Sequence, residues 1–302
     1  MTNAASKEST RVGFVGIGNM GNPMAGNLIK AGWKVTVYDS DPARTSGFVA
    51  AHGGSAASSL AELGANSDVV ITMLPDGHVV RRVALGAAAS DDCLAKRMAK
   101  DSAVIDMSSS APVGTRELAE DLSKHGIALI DAPVSGGVKG AVAATLAIMI
   151  GGEKAVADRF DDMLAAMGRR FYVGAIGSGH AAKVLNNYVS AAGLAAAAEA
   201  VRVGTRFGID PQVLINVINA STGRNNSTEN KFSQFILNGK FNSGFALGLM
   251  AKDITLAMEV AEALDVPTEL GHATLELWKK AEQAVGGAAD HTEIARYVNE
   301  RK

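Results

Sequence analysis

One stretch decides the fold of the first half of this chain: Val12-Gly13-Phe14-Val15-Gly16-Ile17-Gly18-Asn19-Met20-Gly21. It predicts a strand that ends in a tight turn, and residues 22–31 then carry apolar side chains at helical spacing. Gly16 suits the turn, Gly18 lets the backbone approach a pyrophosphate, and Gly21 lets the helix pack closely on the strand. The N–H groups at the start of the helix attract phosphate. The pattern is typical of a dinucleotide-binding loop, with predicted contacts from Gly16, Ile17, Gly18, Asn19, Met20 and Gly21.

A carboxylate follows the glycine loop at the interval that a dinucleotide fold requires. Residues 34–38 predict a second strand, and Asp39 comes directly after it, about twenty residues beyond the loop. A carboxylate there binds the adenosine ribose hydroxyls and repels a 2′-phosphate, and the next residue, Ser40, is not an arginine that would bind one. We therefore predict NAD rather than NADP as the cofactor. The alternative is that Asp39 only begins the turn at Asp41-Pro42.

The composition excludes several classes of protein. The 302 residues are 47% hydrophobic and 20% charged, which is typical of a soluble protein with room for two domains. A net charge of −2 and 5% aromatic residues argue against nucleic acid as a partner. The single cysteine, Cys93, excludes an intrachain disulfide, and the six histidines show no spacing typical of a metal site. With no signal peptide and no membrane span predicted, we expect a cytoplasmic protein without a membrane partner.

The remaining pattern divides the chain into two domains. Apolar runs alternate with helical segments through the first half, which predicts a parallel sheet covered by helices. From about residue 179 no further strand is predicted, and the apolar spacing becomes helical, beginning with one long helix over 180–207. The prediction is an α/β fold: a Rossmann-type doubly wound domain over 1–178, joined by a long interdomain helix to an all-helical domain over 179–302. The alanine-rich part of that helix suits close packing, which predicts a buried central helix of the second domain and leaves a subunit interface as a further possibility.

Several polar segments fall where open α/β sheets bind ligands. Leu74-Pro75 and Ser108-Ser109-Ser110 follow predicted strands, at the same sheet edge as the glycine loop. Ser135-Gly136-Gly137 offers consecutive N–H groups and a hydroxyl, which suits a carboxylate, although a plain tight turn is the alternative.

A lysine on the long helix is the candidate acid or base. Lys183 and Asn187 are four residues apart and share one helix face. Apolar neighbours indicate burial, which lowers a lysine pKa and makes the amine a usable proton donor or acceptor. A second lysine among apolar residues, Lys252, would lower that pKa further if it came close. His180, at the helix start, is expected to have a capping or solvent-facing role.

At these residues the chain resembles the β-hydroxyacid dehydrogenase family, which includes 3-hydroxyisobutyrate dehydrogenases and tartronate semialdehyde reductases. The resemblance runs from Val12 to about Tyr297 and implies a substrate held between a Rossmann domain and a helical domain. The segments that carry it, besides the glycine loop, are Thr72-Met73-Leu74-Pro75, Asp106-Met107-Ser108-Ser109, Asp131-Ala132-Pro133-Val134-Ser135-Gly136-Gly137, Gly179 to Asn187 and Met250-Ala251-Lys252-Asp253.

The resemblance also implies a role for each candidate residue. Lys183 would be the catalytic acid or base in a hydride transfer between NAD(H) and a small 3-hydroxy acid. Asn187 would orient the substrate, and Lys252 would contact both cofactor and substrate. The chain departs from the family at Ser109, where threonine is common, and at Asp76-Gly77-His78-Val79, where many members have Ser-Pro. Carboxylate binding would fall to Ser135, Gly136 and Gly137, and contacts near the nicotinamide to Leu74, Pro75 and Ser109.

Other functions stay open within and beyond this family. A tartronate or succinic semialdehyde (glyoxylate) reductase is the main alternative, because an apolar wall from Phe241, Phe245, Leu247 and Leu249 favours a methyl-bearing acid, whereas Arg224-Asn225-Asn226 favours a more polar one. Imine reductases typically lack the lysine, 6-phosphogluconate dehydrogenases are usually longer, and cofactor-binding members without activity have lost the lysine. The expected partners are a small carboxylate-bearing hydroxy acid or semialdehyde and further copies of the chain, as a dimer or tetramer.

Overall fold

The computed structural model describes residues 4–88 and 90–300. The chain divides into two compact units, the first ending at Lys183 and the second beginning at Val184. This division falls inside one helix, five residues beyond the predicted domain boundary. The boundary after residue 178 stays a prediction.

A single sheet organises the first unit. Six of its strands run parallel in the order β3-β2-β1-β4-β5-β6, which is the doubly wound dinucleotide-binding order. β8 pairs antiparallel with β6 and β7, and parallel with β9. The predicted α/β fold class is therefore confirmed. The strands are β1 Arg11–Val15, β2 Lys34–Tyr38, β3 Ser55–Ala56, β4 Val69–Thr72, β5 Ala103–Asp106, β6 Ala128–Asp131, β7 Val134–Ser135, β8 Leu146–Gly151 and β9 Gly168–Gly174.

Helices cover both faces of this sheet. Alternating residues of β1 enter different cores, Phe14 on one face and Val15 on the other. Asp41 and Asp76 each accept an N–H bond at the start of the helix that follows them. The helices of the first unit are α1 Gly21–Lys30, α2 Pro42–His52, α3 Leu60–Ala65, α4 Gly77–Leu85, α5 Pro112–Ser123, α6 Gly137–Ala143, α7 Lys154–Arg159 and α8 Asp161–Ala165.

The second unit is helical, as the sequence predicts. It packs around Trp278 and Phe232 together with the alanine-rich face of a 30-residue helix. The apolar spacing over 229–237 predicts one regular helix, but the structure has a π-helical turn there, Phe232–Ile236. No helix in the described part of the chain has the length and apolar character needed to cross a membrane. The helices are α9 Ser178–Phe207, which begins in the first unit, α10 Pro211–Asn219, α11 Asn226–Asn230, α12 Leu247–Ala263, α13 Glu269–Val285 and α14 Ile294–Glu300.

The structure corrects three local predictions. The sequence of residues 154–167 predicts one helix, but the structure breaks it at Phe160, whose buried ring joins the core and whose backbone separates α7 from α8. The glycines and proline of residues 131–137 predict an irregular loop, but the segment contains β7 and the start of α6. In the second unit, Ala246 and Asp290 form an isolated antiparallel bridge where no pairing was expected. Each of these features depends on contacts with residues distant in sequence.

Candidate active site

The glycine loop joins β1 to α1 at the carboxyl edge of the parallel strands. Gly16 has a φ of +96°, and a Cβ there would overlap the carbonyl oxygen of Met73. At Gly18 the nearest atom to a Cβ would be Nη1 of Arg44, 3.8 Å away, so the backbone faces open space. A pyrophosphate fits this arrangement at the N-terminus of α1. The other predicted contact residues complete the loop: Ile17 and Gly21 are buried, Met20 is half-buried and Asn19 is exposed.

Asp39 ties the end of β2 to the glycine loop. Its Oδ2 accepts the N–H of Ile17 at 2.8 Å, and its Oδ1 accepts the N–H of Asp41 at 3.0 Å. A carboxylate has about four acceptor positions, so two remain for ribose hydroxyls. Sequence reasoning missed Arg44, whose Nη1 lies 3.8 Å from Asp39 Oδ2. Its signal is position, since it lies in the first turn of α2, directly after the strand-end carboxylate.

The two strand-end loops predicted beside the nicotinamide are linked to each other. The N–H of Leu74 donates to Ser108 Oγ at 2.9 Å, which joins the segment after β4 to the segment after β5. Pro75 is exposed and Ser109 is half-buried. Asp76, where the family often has Ser-Pro, caps the N-terminus of α4. The structure thus brings Leu74 and the loop of Ser109 together at the glycine-loop edge of the sheet.

The predicted carboxylate cradle lies between β7 and α6. Gly136 and Gly137 have φ values of +132° and +61°, and both are exposed. Consecutive glycines in such conformations leave backbone N–H groups open to an anion. Ser135 ends β7 and is half-buried. The segment leads from β7 into α6, and carboxylate binding at its exposed glycine backbone stays a prediction.

The candidate acid or base lies in the second turn of α9. Lys183 is buried, with only 8% of its surface exposed. The start of this helix is anchored by Asp131, which accepts the N–H groups of Gly177 and His180 at 2.8 Å each. The ring of His180 is completely buried, so the expected solvent-facing role is wrong. The helix start is instead part of the polar interior of the first unit.

The second unit contains the other two predicted site residues, Asn187 and Lys252. Asn187, 6% exposed, donates from Nδ2 to Asp253 Oδ2 at 2.6 Å. Nζ of Lys252 lies 3.9 Å from Asp253 Oδ1. Sequence reasoning quoted Asp253 within a motif but missed that it orients Asn187. The available signal is an acidic residue among the apolar positions of α12, because a buried carboxylate needs a partner.

The two groups of residues predicted to face the substrate, the apolar wall and residues 224–226, do not form the expected surfaces. Leu247 is fully buried in the core of the second unit, whereas Leu249 is 44% exposed, so the expected apolar wall is not one surface. Asn225 is occupied as the cap of α11, accepting the N–H groups of Ser227 and Thr228. Neither set identifies the substrate.

A serine, a histidine and an aspartate meet in the second unit without forming a hydrolase triad. Ser243 Oγ lies 3.0 Å from Nδ1 of His291 and 2.9 Å from Asp290 Oδ1. A triad uses opposite ring nitrogens for serine and aspartate, whereas here the same nitrogen faces both. Burial, with Lys231 nearby, lowers the pKa of His291 to about 4. Among residues 4–88 and 90–300, no group of three His, Cys, Asp or Glu side chains could hold a metal ion.

Comparison with known proteins identifies the family of both parts of the chain. Residues 11–177 match the family model described as the NAD binding domain of 6-phosphogluconate dehydrogenase, and residues 177–298 match the one described as NAD-binding of NADP-dependent 3-hydroxyisobutyrate dehydrogenase. The 2-(hydroxymethyl)glutarate dehydrogenase of Eubacterium barkeri is 37% identical, with 86% of this chain and 85% of that protein covered. The mitochondrial 3-hydroxyisobutyrate dehydrogenase of Rattus norvegicus is 36% identical, with 97% and 88% covered.

A solved structure extends the agreement to the fold. The 3-hydroxyisobutyrate dehydrogenase of Mycobacterium tuberculosis, solved with L-serine, has a TM-score of 0.86 and 36% identity, with 96% of this chain and 99% of that chain covered. The likeness spans nearly the whole of both chains, which confirms the family inferred from the motifs. This chain belongs to the β-hydroxyacid dehydrogenase family of NAD(P)-binding oxidoreductases.

Proposed function

We propose that this chain is an NAD-dependent dehydrogenase of a small 3-hydroxy acid, of the 3-hydroxyisobutyrate type. One observation carries the proposal: α9 holds a buried lysine, Lys183, one turn before a buried amide, Asn187. Lysine is among the side chains least often buried, so burial at this position indicates a function for the amine. A buried amine beside a substrate can exchange a proton with it.

The proposed mechanism assigns the proton to Lys183. The bound nicotinamide supplies the hydride acceptor in oxidation and the hydride donor in reduction. Lys183 takes the proton of the substrate hydroxyl during oxidation and returns it to the carbonyl oxygen during reduction. Asn187, held by Asp253, keeps the substrate hydroxyl and carboxylate in line with that amine.

The proposed carboxylate cradle explains selection for acids. The Ser135 hydroxyl and the N–H groups of Gly136 and Gly137 bind the substrate carboxylate, so a simple alcohol lacks the anchor that orients it. Lys252 contributes a further positive charge beside cofactor and substrate. The proposed cofactor contacts are the glycine loop from Gly16 to Gly21, Asp39, Leu74, Pro75 and Ser109.

Replacing the lysine tests this assignment. Lys183→Ala should lower kcat by about 1000-fold because it removes the proton donor and acceptor. Lys183→Arg keeps the charge but cannot be deprotonated, so it should be comparably inactive. Affinity for NADH, measured by fluorescence quenching, should stay within about threefold of the wild-type value in both variants. Added methylamine should restore part of the activity of the alanine variant and none to the arginine variant. Full turnover by Lys183→Ala would refute the mechanism.

The substrate within the family is tested by direct comparison. NADH formation at alkaline pH should be fastest with 3-hydroxyisobutyrate among 3-hydroxyisobutyrate, glycerate, 3-hydroxypropionate, threonate and 4-hydroxybutyrate. The name of the Eubacterium barkeri relative indicates a dicarboxylate, so 2-(hydroxymethyl)glutarate belongs in the same screen. Reduction of tartronate or succinic semialdehyde with a higher kcat/KM than any of these oxidations would favour the alternative function.

The proposed preference for NAD depends on Asp39. The Asp39 carboxylate follows β2, where the fold would place the 2′-phosphate of NADP. The negative charges of carboxylate and phosphate would repel each other there. Arg44 supports the opposite choice, because a guanidinium binds phosphate well and lies 3.8 Å from the same carboxylate. We favour NAD because the carboxylate is held rigidly by two backbone N–H groups, whereas the Arg44 side chain is 55% exposed.

Substitutions at Asp39 and at Arg44 test the effect of each charge on cofactor choice separately. The wild-type protein should use NAD with a kcat/KM at least about tenfold above that for NADP. A tenfold ratio corresponds to about 1.4 kcal/mol of difference in transition-state binding. Asp39→Asn removes the negative charge and keeps an acceptor for the N–H of Ile17. The ratio of kcat/KM with NAD to kcat/KM with NADP should therefore fall about tenfold. Arg44→Ala should lower the use of NADP more than that of NAD. A wild-type preference for NADP would overturn the proposal.

We also infer that a second copy of the chain covers α9. The helix exposes an apolar stripe of Leu185, Val189, Val203 and Phe207, with small alanines between them. A groove of about 320 Å³ between α9 and α13 is lined by Ala192, Ala196, Leu270, Glu199 and Lys280. Lys280 already pairs with Glu276, which also lines the groove, so the apolar stripe and the small side chains are the surface that a two-fold partner would cover.

A charge on this stripe should weaken the oligomer. Val189, 67% exposed, can be replaced by aspartate without disturbing a core. Light scattering after gel filtration should show a dimer or tetramer for the wild type and a smaller species for Val189→Asp, because an unpaired charge in an apolar interface is costly. Val113→Asp, at a 49% exposed valine of α5, is the matched control and should leave the assembly unchanged. A monomeric wild-type protein would refute the interface.

A further inference from the structure

Two buried carboxylates lie side by side at the carboxyl edge of the sheet. Asp106 ends β5 and Asp131 ends β6, and the two are paired in the register of these strands. Both are almost completely buried. Within the described residues, no lysine or arginine lies within 4 Å of either carboxylate, and the basic side chain that does is His180. This histidine has no part in the mechanism proposed above.

The His180 ring is held by two hydrogen bonds. Nε2 lies 3.1 Å from the carbonyl oxygen of Ser108, and Nδ1 lies 2.8 Å from Oγ1 of Thr115 on α5. A carbonyl oxygen only accepts, so Nε2 carries a hydrogen, and the Thr115 hydroxyl meets Nδ1. The carboxylates are further away, with Nε2 3.6 Å from Asp106 Oδ2 and Nδ1 3.8 Å from Asp131 Oδ2. Both ring nitrogens thus have partners, and the ring has one orientation.

These hydrogen bonds connect the loop after β5, at the carboxyl edge of the sheet, to α9, the helix that carries Lys183. Ser108, which accepts from His180, donates its own N–H to Asp106 at 3.0 Å and accepts from Leu74 through Oγ. One chain of hydrogen bonds therefore runs from Leu74 through Ser108 to the first turn of α9. Lys183 lies three residues beyond His180, on the adjoining part of the same helix face.

We propose that His180 is a positioning residue, which holds the first turn of α9, and with it Lys183, in register with the loop of Ser108 and Ser109. The inference rests on the role proposed for Lys183. Asp131 holds the helix start through hydrogen bonds to backbone N–H groups, those of Gly177 and His180. The imidazole adds a side-chain attachment to Ser108 and Thr115, which fixes the first turn of α9 against the carboxyl edge of the sheet. A displacement of about 1 Å at a reacting group costs about 100-fold in rate.

The test compares three variants with matched effects on packing. His180→Leu fills the space without hydrogen bonds. His180→Gln places an amide N–H where Nε2 donates to Ser108. Ser67→Ala is the control for the loss of a buried hydrogen bond, because Ser67 donates to Leu63 at 2.7 Å just before β4, at the opposite edge of the sheet. With 3-hydroxyisobutyrate as substrate, the measurements are kcat, KM, the deuterium isotope effect at the carbinol carbon, NADH affinity and the melting temperature.

A positioning role predicts a specific combination of results. His180→Leu should lower kcat about 30-fold to 100-fold and raise the isotope effect, with NADH affinity within about threefold of wild type. His180→Gln should recover at least about a third of kcat and restore the isotope effect. Ser67→Ala should lower the melting temperature and leave kcat unchanged. If His180→Leu does not fold, Thr115→Val removes the hydroxyl that faces Nδ1 and that can also donate to the carbonyl oxygen of Ala111 at 3.0 Å, and it should lower kcat about threefold to tenfold.

Two outcomes would overturn the proposal. One is a kcat within twofold of wild type in His180→Leu or, where that variant does not fold, in Thr115→Val. The other is a loss in His180→Leu that falls equally on kcat and NADH affinity and that His180→Gln does not relieve, as a purely structural role requires. The lysine variants keep the two hypotheses apart. An inactive Lys183→Ala beside a fully active His180→Leu refutes the positioning role alone, whereas an active Lys183→Ala refutes the proposed function.

Discussion

The structure depends on one buried carboxylate at the end of a strand. Asp131 accepts the N–H groups of Gly177 and His180, one with each oxygen. The start of a helix leaves such groups unpaired and carries a partial positive charge, so the carboxylate and the helix stabilise each other. A Cβ at Gly179 would lie 2.8 Å from Asp131 Oδ2, so a side chain there would push the helix away. The 30 residues of α9 begin from this contact.

The residues proposed to contact substrate or cofactor are oriented by side chains that do not react. Asn187 is held by Asp253, and the loop of Ser109 is held by Asp106 through Ser108 and Ser110. In each case a buried carboxylate receives the hydrogen bond. A carboxylate accepts several strong bonds at once and is costly to leave unpaired, so it fixes the geometry of its neighbours. The pattern recurs in both units.

Cofactor choice in this chain is a balance of two charges. Asp39 and Arg44 lie 3.8 Å apart beside the open backbone of Gly18. One would repel a 2′-phosphate and the other would attract it. The pair shows why a strand-end carboxylate alone does not decide between the two cofactors. The first turn of the next helix also has to be considered.

Local pattern in the sequence determined the α/β class, the glycine loop, most strands and the helical character of the second unit. Each of these depends on residues that are close in sequence, such as the apolar run before Gly16 or the four-residue spacing of Lys183 and Asn187. Tertiary structure alone decided the two-residue strands β3 and β7, the burial of His180, the approach of the Arg44 guanidinium to Asp39 and the bond between Asn187 and Asp253. A histidine at a helix start has the same local pattern whether it is exposed or buried. Its burial is set by Ser108 and Thr115, more than sixty residues away, which are brought to it only when the sheet and its helices pack.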